Sequence, residues 1–465
     1  MTTTYTLGFD SLSTETQLDH LDVQGELPAW LSGTLIRNGP AQFEVNGQSY
    51  RHWFDGLAML HAFRFGGGQV RYANRFLRSN AYVKDNANGK INYRSFAVDP
   101  CRSIFSKVFS LFDPNGMANN TNVNVVKLAD QYLAMTETPM ALAFDPETLE
   151  TLGVFDYQDD IKGQITTAHP HYDFERGWGI NYLLKVGASY TYQLYAVKGK
   201  QRHLIASIPV KQPSYMHSFG MTDRYLILAE YPLVIPPPLE LAFGKALVDM
   251  MRWQPEQGMH FTLIDKDTGA VAARIEADPF FCFHHINAFE QDDSVVVDLA
   301  AYPDSSILFD LTLDNLRHAS TFKAGAFRRY RLPLKGGRAT YETMGDVGVE
   351  LPRLNYRHNG KPYRYAYCAS QSSGAVGFID QLVKVDTHSG SMQVWREAGC
   401  FPSEPVFEAA PDARSEDDGV VLTVVVDSRN GSSFLLVQRA DTFEEIARCT
   451  VPHVIPFGFH GQMFN

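Results

Sequence analysis

Four histidines stand out by their surroundings. His169 lies in TTAHPHYD, His217 in PSYMHSFGM, His284 in FFCFHHINAFE and His460 in IPFGFHGQMF, each inside an apolar or aromatic, strand-like run. The chain carries 15 histidines, and His20, His203, His318, His358 and His388 sit instead in polar turn contexts at the expected surface. Imidazole suits zinc, copper, iron and nickel, so four such residues could hold an ion without naming it. All four would be neutral ligands. The ion would keep its full charge, and an octahedral ion would keep open positions for oxygen or water. Taken singly, a buried histidine is more often a hydrogen-bonded core residue than a ligand. The case for convergence therefore rests on where the four fall along the chain.

Helical periodicity is scarce, and short alternating or apolar runs dominate, punctuated by Gly, Asp, Asn and Pro. One unit recurs: a strand, a tight polar turn and a second strand. It begins at Met59, Met140, Tyr190, Phe261, Phe327, Leu382 and Phe434, giving seven hairpins. Their turns, among them DPET, DKDTG, DTHSG and GGG, place Gly or Asp where a positive φ is needed. The spacing is roughly sixty residues per unit, longer than the commonest propeller repeats. Evenly repeated hairpins that close radially predict an all-β, seven-bladed propeller; a large β-sandwich or two β domains is the alternative on hairpins alone. No stretch rich in Pro, Gly or Ser divides the chain, so residues 1–465 are expected to form a single domain.

In a propeller each of the four histidines lies in the segment that opens a blade. His169 precedes the hairpin from Tyr190, His217 that from Phe261 and His284 that from Phe327. His460 follows the last hairpin, where a final strand would complete the blade that starts at Met59. The innermost strand of a blade lines the axis, so four imidazoles could meet there. Glu137, Glu350 and Glu404 precede the second, sixth and seventh hairpins and would supply the axial group of the remaining blades. Each is an ordinary turn residue when taken alone. Together they suit an imidazole site, because a ligating histidine usually donates its other N–H to a carboxylate.

The bulk numbers narrow the classes. Apolar residues make up 45% of the 465, enough for a large core. The net charge of −11 is spread along the chain with no basic stripe, which argues against nucleic acid as a partner. Cys101, Cys282, Cys368, Cys400 and Cys449 are odd in number and scattered, as in a reducing cytoplasm. The start MTTTYTLGFD lacks the basic and apolar regions of a signal peptide, and no apolar run is long enough to span a bilayer. A cytoplasmic protein is expected.

With LSGTLIRNGPAQFEV, HWFDGLAMLHAF and ANNTNVNVV near the N-terminus, the four histidine contexts, and the closing IPFGFHGQMF, the chain resembles the carotenoid cleavage oxygenase family over nearly its whole length. That family includes carotene dioxygenases, apocarotenoid oxygenases, stilbene-cleaving enzymes and the retinoid isomerase of vision. The resemblance implies a helical and loop cap over one face of the propeller and iron(II) on its axis. The ligands would be His169, His217, His284 and His460, with His285 a neighbour of the ligand. The resemblance pairs Glu137, Glu350 and Glu404 with His217, His284 and His460 in that order. Blade order makes the last two pairs neighbours but not Glu137 and His217. Thr121 in NNTN matches a residue beside the open coordination position, where its methyl would limit the number of ligands.

The activity implied is oxidative cleavage of a carbon–carbon double bond in a carotenoid or apocarotenoid by O2. The HWFDGLAMLHAF segment looks closer to the carotene-cleaving animal-type branch. Two alternatives keep the same histidines: a stilbene-cleaving dioxygenase, and a propeller that binds or isomerises a retinoid without oxygen. Stilbene-cleaving members carry a Lys immediately before the first of the carboxylates, where this chain has Thr136, which favours an apolar polyene. An apolar substrate must be drawn from a membrane. Leu239–Arg252 (LELAFGKALVDMMR) read as a helix gathers its apolar residues on one face, and Ser103–Phe112 (SIFSKVFSLF) groups Ile104, Phe105, Val108, Phe109 and Phe112. Both faces could simply pack on the propeller. The resemblance places apolar segments of these regions around the tunnel mouth, so contact with a membrane surface is expected. Where the aromatic residues Trp53, Phe54 and Phe281 stand is not legible at this level.

Overall fold

The computed structural model describes residues 5–93, 96–97, 118–237, 240, 246–318, 321–375 and 377–465. Antiparallel sheets form seven blades arranged in chain order. Blade 1 runs outward from Gly461–Phe464 through Gly33–Gln42, Leu57–Gly66 and Gln69–Phe76 to Thr16–Leu18. Blade 2 comprises Asn124–Leu128, Gln131–Met135, Leu142–Phe144 and Thr151–Val154. Blade 3 begins with two short pieces, Ile165–Thr166 and His171–Asp173, that both pair with Trp178–Val186. Tyr190–Lys198 and Gln201–Val210 complete it. Blade 4 is Gly220–Met221, Tyr225–Glu230, Met259–Asp265 and Val271–Ala277.

Blades 5 and 6 share one ladder. Phe281–Gln291, Ser294–Tyr302 and Gly325–Pro333 lead into the 15-residue strand Thr340–Leu354. The first half of that strand closes blade 5, and its second half pairs with Tyr365–Gln371 to open blade 6, which ends with Gln381–Asp386 and Met392–Trp395. Blade 7 holds Cys400–Pro402 and Val406–Ala409 against Gly419–Asp427, then Ser432–Arg439, Glu445–Val451 and Asp22–Gly25.

Each of the seven sequence hairpins is the outer pair of one blade or, in blades 1 and 7, lies just inside an extra N-terminal strand. The C-terminal strand completes the first blade as expected, and the N-terminal segment is exchanged in turn onto the last. The C-terminal Gly461–Phe464 becomes the innermost strand of blade 1, and the N-terminal Asp22–Gly25 caps the rim of blade 7. This exchange joins the first blade to the last and leaves only the edges of the blades unpaired.

The burial pattern follows from the radial stack. A middle strand such as Gly419–Asp427 has neighbouring blades on both faces and is buried almost throughout. An outer strand such as Gln69–Phe76 alternates, with Val70, Tyr72 and Phe76 inward and Gln69 and Arg71 in water. The hairpin turns repeat one device. The Asp265 side chain accepts from the N–H groups of Asp267 and Thr268 at 3.1 and 3.0 Å, and Gly269 follows at φ +69. Asp386 accepts from His388 and Ser389, with Gly390 at φ +72. Asp145 does the same for Glu147 and Thr148, although there Leu149 takes the positive φ.

The connections on one face carry the short helical turns Trp53–Asp55, Leu247–Met250, Ile307–Asp310 and Leu313–His318. Residues of the first two turns, with Leu311 between the last two, help roof a cavity over the axis. Among the described residues no helix is long and apolar enough to cross a membrane. Ser103–Phe112 lies outside the described residues. Of Leu239–Arg252 only residue 240 and residues 246–252 are described, and they do not form one helix. The helical turn stops at Met250, and Arg252–Trp253 pairs as a strand with Leu233–Val234. That pairing pulls the backbone into an extended path, and Val248 is buried.

Candidate metal centre

The inner strands are short or broken where the four histidines stand. His169 sits in the gap between Ile165–Thr166 and His171–Asp173. His217 lies three residues ahead of Gly220–Met221, and His460 immediately precedes Gly461–Phe464. His284 is inside Phe281–Gln291, at a register shift between Cys282 and His285. Each interruption releases a side chain from the strict in-and-out alternation of a strand and turns it toward the axis.

Among the described residues these four imidazoles form a cluster whose ligand atoms all lie within 4.8 Å of one another. Nε2 of His169 is 3.1 Å from Nε2 of His217, and Nε2 of His284 is 3.1 Å from Nε2 of His460. His285 is not part of the cluster; its Nδ1 meets the Ser218 hydroxyl at 2.8 Å. Three carboxylates stand behind the rings. Glu137 Oε1 is 2.8 Å from Nδ1 of His217, Glu350 Oε2 is 2.5 Å from Nδ1 of His284, and Glu404 Oε1 is 2.7 Å from Nδ1 of His460. No carboxylate among the described residues pairs with His169.

This arrangement fixes tautomers. A carboxylate accepts, so the ring proton of each paired histidine lies on Nδ1 and Nε2 keeps its lone pair. The bare Nε2 atoms of His284 and His460 then face each other with no hydrogen between them. Burial pushes His460 down to about 4 despite Glu404, so it does not relieve the contact by protonation at neutral pH. Burial and then the other three imidazoles hold His169 well below the usual histidine value. Three lone pairs fixed by carboxylates, with the His169 ring beside them, converge in a buried space that a cation would fill, and imidazole donors suit a first-row divalent ion. The residues present fit a metal.

The carboxylates are held by groups that sequence reasoning missed. Tyr215 donates to Glu137 and Tyr302 to Glu350, each at 2.7 Å. Tyr215 stands two residues before His217, on the same face of an extended segment, and that spacing was the available signal. Glu404 is bonded by the Arg37 guanidinium and by the Gly461 N–H at 2.9 Å, with Arg353 3.6 Å away. Burial alone would raise the Glu404 carboxyl; Arg353, Arg37 and His460 instead bring it down to about 2. Glu350 is likewise held low against its burial by His284, the Leu351 N–H and Tyr302. Arg37 was legible as a lone charge in the apolar run TLIRNG.

Glu350, in Thr340–Leu354, and Glu404, between Cys400–Pro402 and Val406–Ala409, occupy the innermost strands of blades 6 and 7. Glu137 does not fill that place in blade 2. The innermost strand there is Asn124–Leu128, and Glu137 follows the second strand, Gln131–Met135. It reaches His217 because its carbonyl accepts from Thr166 at the end of blade 3, which carries it past that short inner strand. The position ahead of the innermost strand of blade 2 belongs instead to Thr121. Thr121 is fully buried, and its hydroxyl has no partner among the described residues.

An aromatic cavity covers the cluster. Trp53, Phe54, Phe96, Phe283, Phe378 and Phe459 line it, together with His217, His284, His460 and Thr136. Phe54 lies 6.2 Å from the His217 ring and 5.7 Å from Phe283, and Trp53 lies 4.5 Å from Phe459. Phe281 is buried behind Phe283, stacked on Tyr215, and does not line the space.

A family model described as retinal pigment epithelial membrane protein matches residues 9–465. The human "Carotenoid-cleaving dioxygenase, mitochondrial" is 35% identical over 94% of this chain and 87% of its own length. The chicken (Gallus gallus) β,β-carotene 15,15'-dioxygenase is 34% identical, over 95% of this chain and 94% of its own. Among solved structures, the cobalt-substituted Synechocystis apocarotenoid oxygenase superposes with a TM-score of 0.86 at 26% identity, covering 99% of this chain and 98% of the other.

Proposed function

The chain belongs to the carotenoid cleavage oxygenase family, and on that premise we propose that it is an iron(II)-dependent dioxygenase splitting a carbon–carbon double bond of a carotenoid or apocarotenoid into two carbonyl products. The observation that carries this reading is the convergence of four imidazoles, three of them held by carboxylates, at the floor of an aromatic cavity. Iron(II) bound there would supply the electrons that activate dioxygen. His169, His217, His284 and His460 would be its ligands. Glu137, Glu350 and Glu404 keep three of the rings in the tautomer that presents a lone pair to it. Thr121 stands at the head of the innermost strand of blade 2, where its methyl would limit the ligands the ion can take.

The aromatic wall would hold an extended conjugated chain by apolar contact and exclude water from the reacting bond. Thr136, on that wall, is neutral and offers a phenolate no counter-charge, which favours a polyene over a stilbene phenol. Contact with a membrane surface through Leu239–Arg252 and Ser103–Phe112 belongs to the same reading, because a hydrocarbon substrate resides in lipid. Phe243→Asp is then expected to abolish liposome binding with folding intact.

The test is oxygen uptake by protein reconstituted with iron(II) and offered β-carotene, an apocarotenal, resveratrol and a retinyl ester in parallel. One O2 consumed per polyene cleaved, with both atoms recovered in aldehyde products, is the expected result. Cleavage of resveratrol alone would move the assignment to stilbenes. Isomerised retinoid without oxygen uptake would overturn the oxygenase reading.

A further inference from the structure

The three carboxylates behind the imidazoles are not held alike. Glu137 and Glu350 each take a neutral tyrosine hydroxyl, from Tyr215 and Tyr302. Glu404 takes a full charge, from Arg37, and both members of that pair are buried, with side-chain exposures of 5% and 0%. The Arg37 guanidinium also donates to the carbonyl of Phe459 at 3.1 Å, the residue before His460. It packs so closely that a Cβ on Gly461 would meet its Cδ at 2.5 Å. Arg37 therefore grips the carboxylate and the main chain on either side of one imidazole. Arg353 also faces Glu404 and helps to lower its carboxyl, but it stands 3.6 Å away without a hydrogen bond and keeps 27% of its side chain in water, so of the two guanidiniums Arg37 alone holds the carboxylate in place.

Charge follows from this count. Among the groups hydrogen-bonded to the imidazoles and their carboxylates, three negative charges and the one positive charge of Arg37 leave −2, with the half-buried Arg353 a further positive charge at the edge of the site. We infer that Arg37 is the positioning residue of the axial site: it pins Glu404 to His460 and sets the buried charge to the value that a divalent ion neutralises and a trivalent ion exceeds. In a low-dielectric interior that balance discriminates between oxidation states of one metal, because an uncompensated charge is costly there. Tyr215 and Tyr302 orient their carboxylates without altering the count. The inference rests on the iron reading above.

The test is a redox titration of protein loaded with iron(II), with iron content measured by atomic absorption and the ferric fraction by electron paramagnetic resonance. Arg37→Met keeps the length of the side chain and removes its charge. It is expected to raise the ferric-to-ferrous ratio at fixed potential about tenfold, which for one electron is 59 mV. Glu404→Gln is expected to move the ratio the other way by a similar factor. The double variant restores the original charge and should return the ratio to within about threefold of the wild type. It also leaves no unpaired buried charge, so it reports even where Arg37→Met does not fold. A purely structural role would lower iron content in all the variants without shifts of opposite sign. Normal iron content with an unshifted ratio in Arg37→Met, or a double variant shifted as far as either single one, overturns the assignment. Wild-type protein that takes up no iron overturns the metal reading and this inference together.

Discussion

The axis and the rim of this propeller are built on opposite rules. At the rim, strands such as Tyr190–Lys198 and Gln201–Val210 run for 9 and 10 residues with a single register shift between them, and the turns at Asp145, Asp265 and Asp386 repeat one local hydrogen-bond pattern. At the axis, the innermost pieces Ile165–Thr166, Gly220–Met221 and Gly461–Phe464 are 2, 2 and 4 residues long. There the ladder stops, or at His284 shifts register, where a histidine is needed. The rim obtains stability by repetition, through many apolar contacts and locally satisfied backbone groups. The axis gives up ladder hydrogen bonds and buries charge, and it offsets that cost through a few specific partners. Substitutions in the two regions should therefore separate function from stability.

The largest separation is expected at His284. His284→Ala should abolish iron binding and turnover, a loss beyond the roughly 100-fold that removal of an outer carboxylate produces. The apoprotein should melt within a few degrees of the wild type, because the deletion relieves a contact between two lone pairs. Metal analysis and a melting curve on the same sample check both halves; full iron content with turnover would break the comparison. Glu350→Gln should cost on the order of 10–100-fold in iron affinity or kcat, since the amide can donate to Nδ1 and disturb the tautomer. Tyr302→Phe removes only one hydrogen bond to that carboxylate and should cost about tenfold, at the low end of the roughly 1.5–3 kcal/mol of a hydrogen bond to a charged group. A Tyr302→Phe effect equal to that of Glu350→Gln would show that the hydroxyl does more than orient.

The same division decides what was legible in the chain. All seven rim hairpins could be read because their turn chemistry is local: the Asp and the Gly that make DKDTG turn are within five residues of each other. His169, His217, His284 and His460 could be placed near the axis because each precedes a readable hairpin or, for His460, follows the last. The finer contacts were not legible, because they join residues far apart in sequence. Arg37 meets Glu404 across 367 positions, and Tyr302 meets Glu350 across 48. One axial group per blade, read from the chain, puts Glu137 at an innermost strand. The structure gives that place to Thr121 and sends Glu137 across the end of blade 3. The cap was the least readable part. A helical pattern over Leu239–Arg252 could not anticipate that Arg252–Trp253 would be drawn into a strand by Leu233–Val234.

At the rim the expected effects fall on stability. Gly269 holds φ +69, and a Cβ there would stand 2.0 Å from the carbonyl oxygen of Ile205. Gly269→Val should destabilise the fold by about 1–3 kcal/mol through backbone strain and this clash. Iron content and kcat of the folded fraction should remain at wild-type values. Loss of iron at temperatures where the variant is fully folded would show that rim strain reaches the axis.

The smallest effect is a pH dependence at the same turn. The Arg224 guanidinium and the Thr268 N–H hold the Asp265 carboxyl down to about 2, below its ordinary 3.8. A carboxyl lowered on folding contributes stability that is complete above its unfolded value and is lost as pH falls through its folded value. The contribution should therefore be whole above about pH 4 and gone below about pH 2. Asp265→Asn keeps an oxygen for the turn N–H groups and removes the charge. It should be slightly less stable than the wild type at pH 7, and the two should converge on acidification through that window. The difference should be small, because 63% of the Arg224 side chain is in water and the pair is screened. Denaturant titrations of both proteins at pH 7, 4 and 2 check this, and a gap that persists at pH 2 would place the role of Asp265 in its hydrogen bonds and not in its charge.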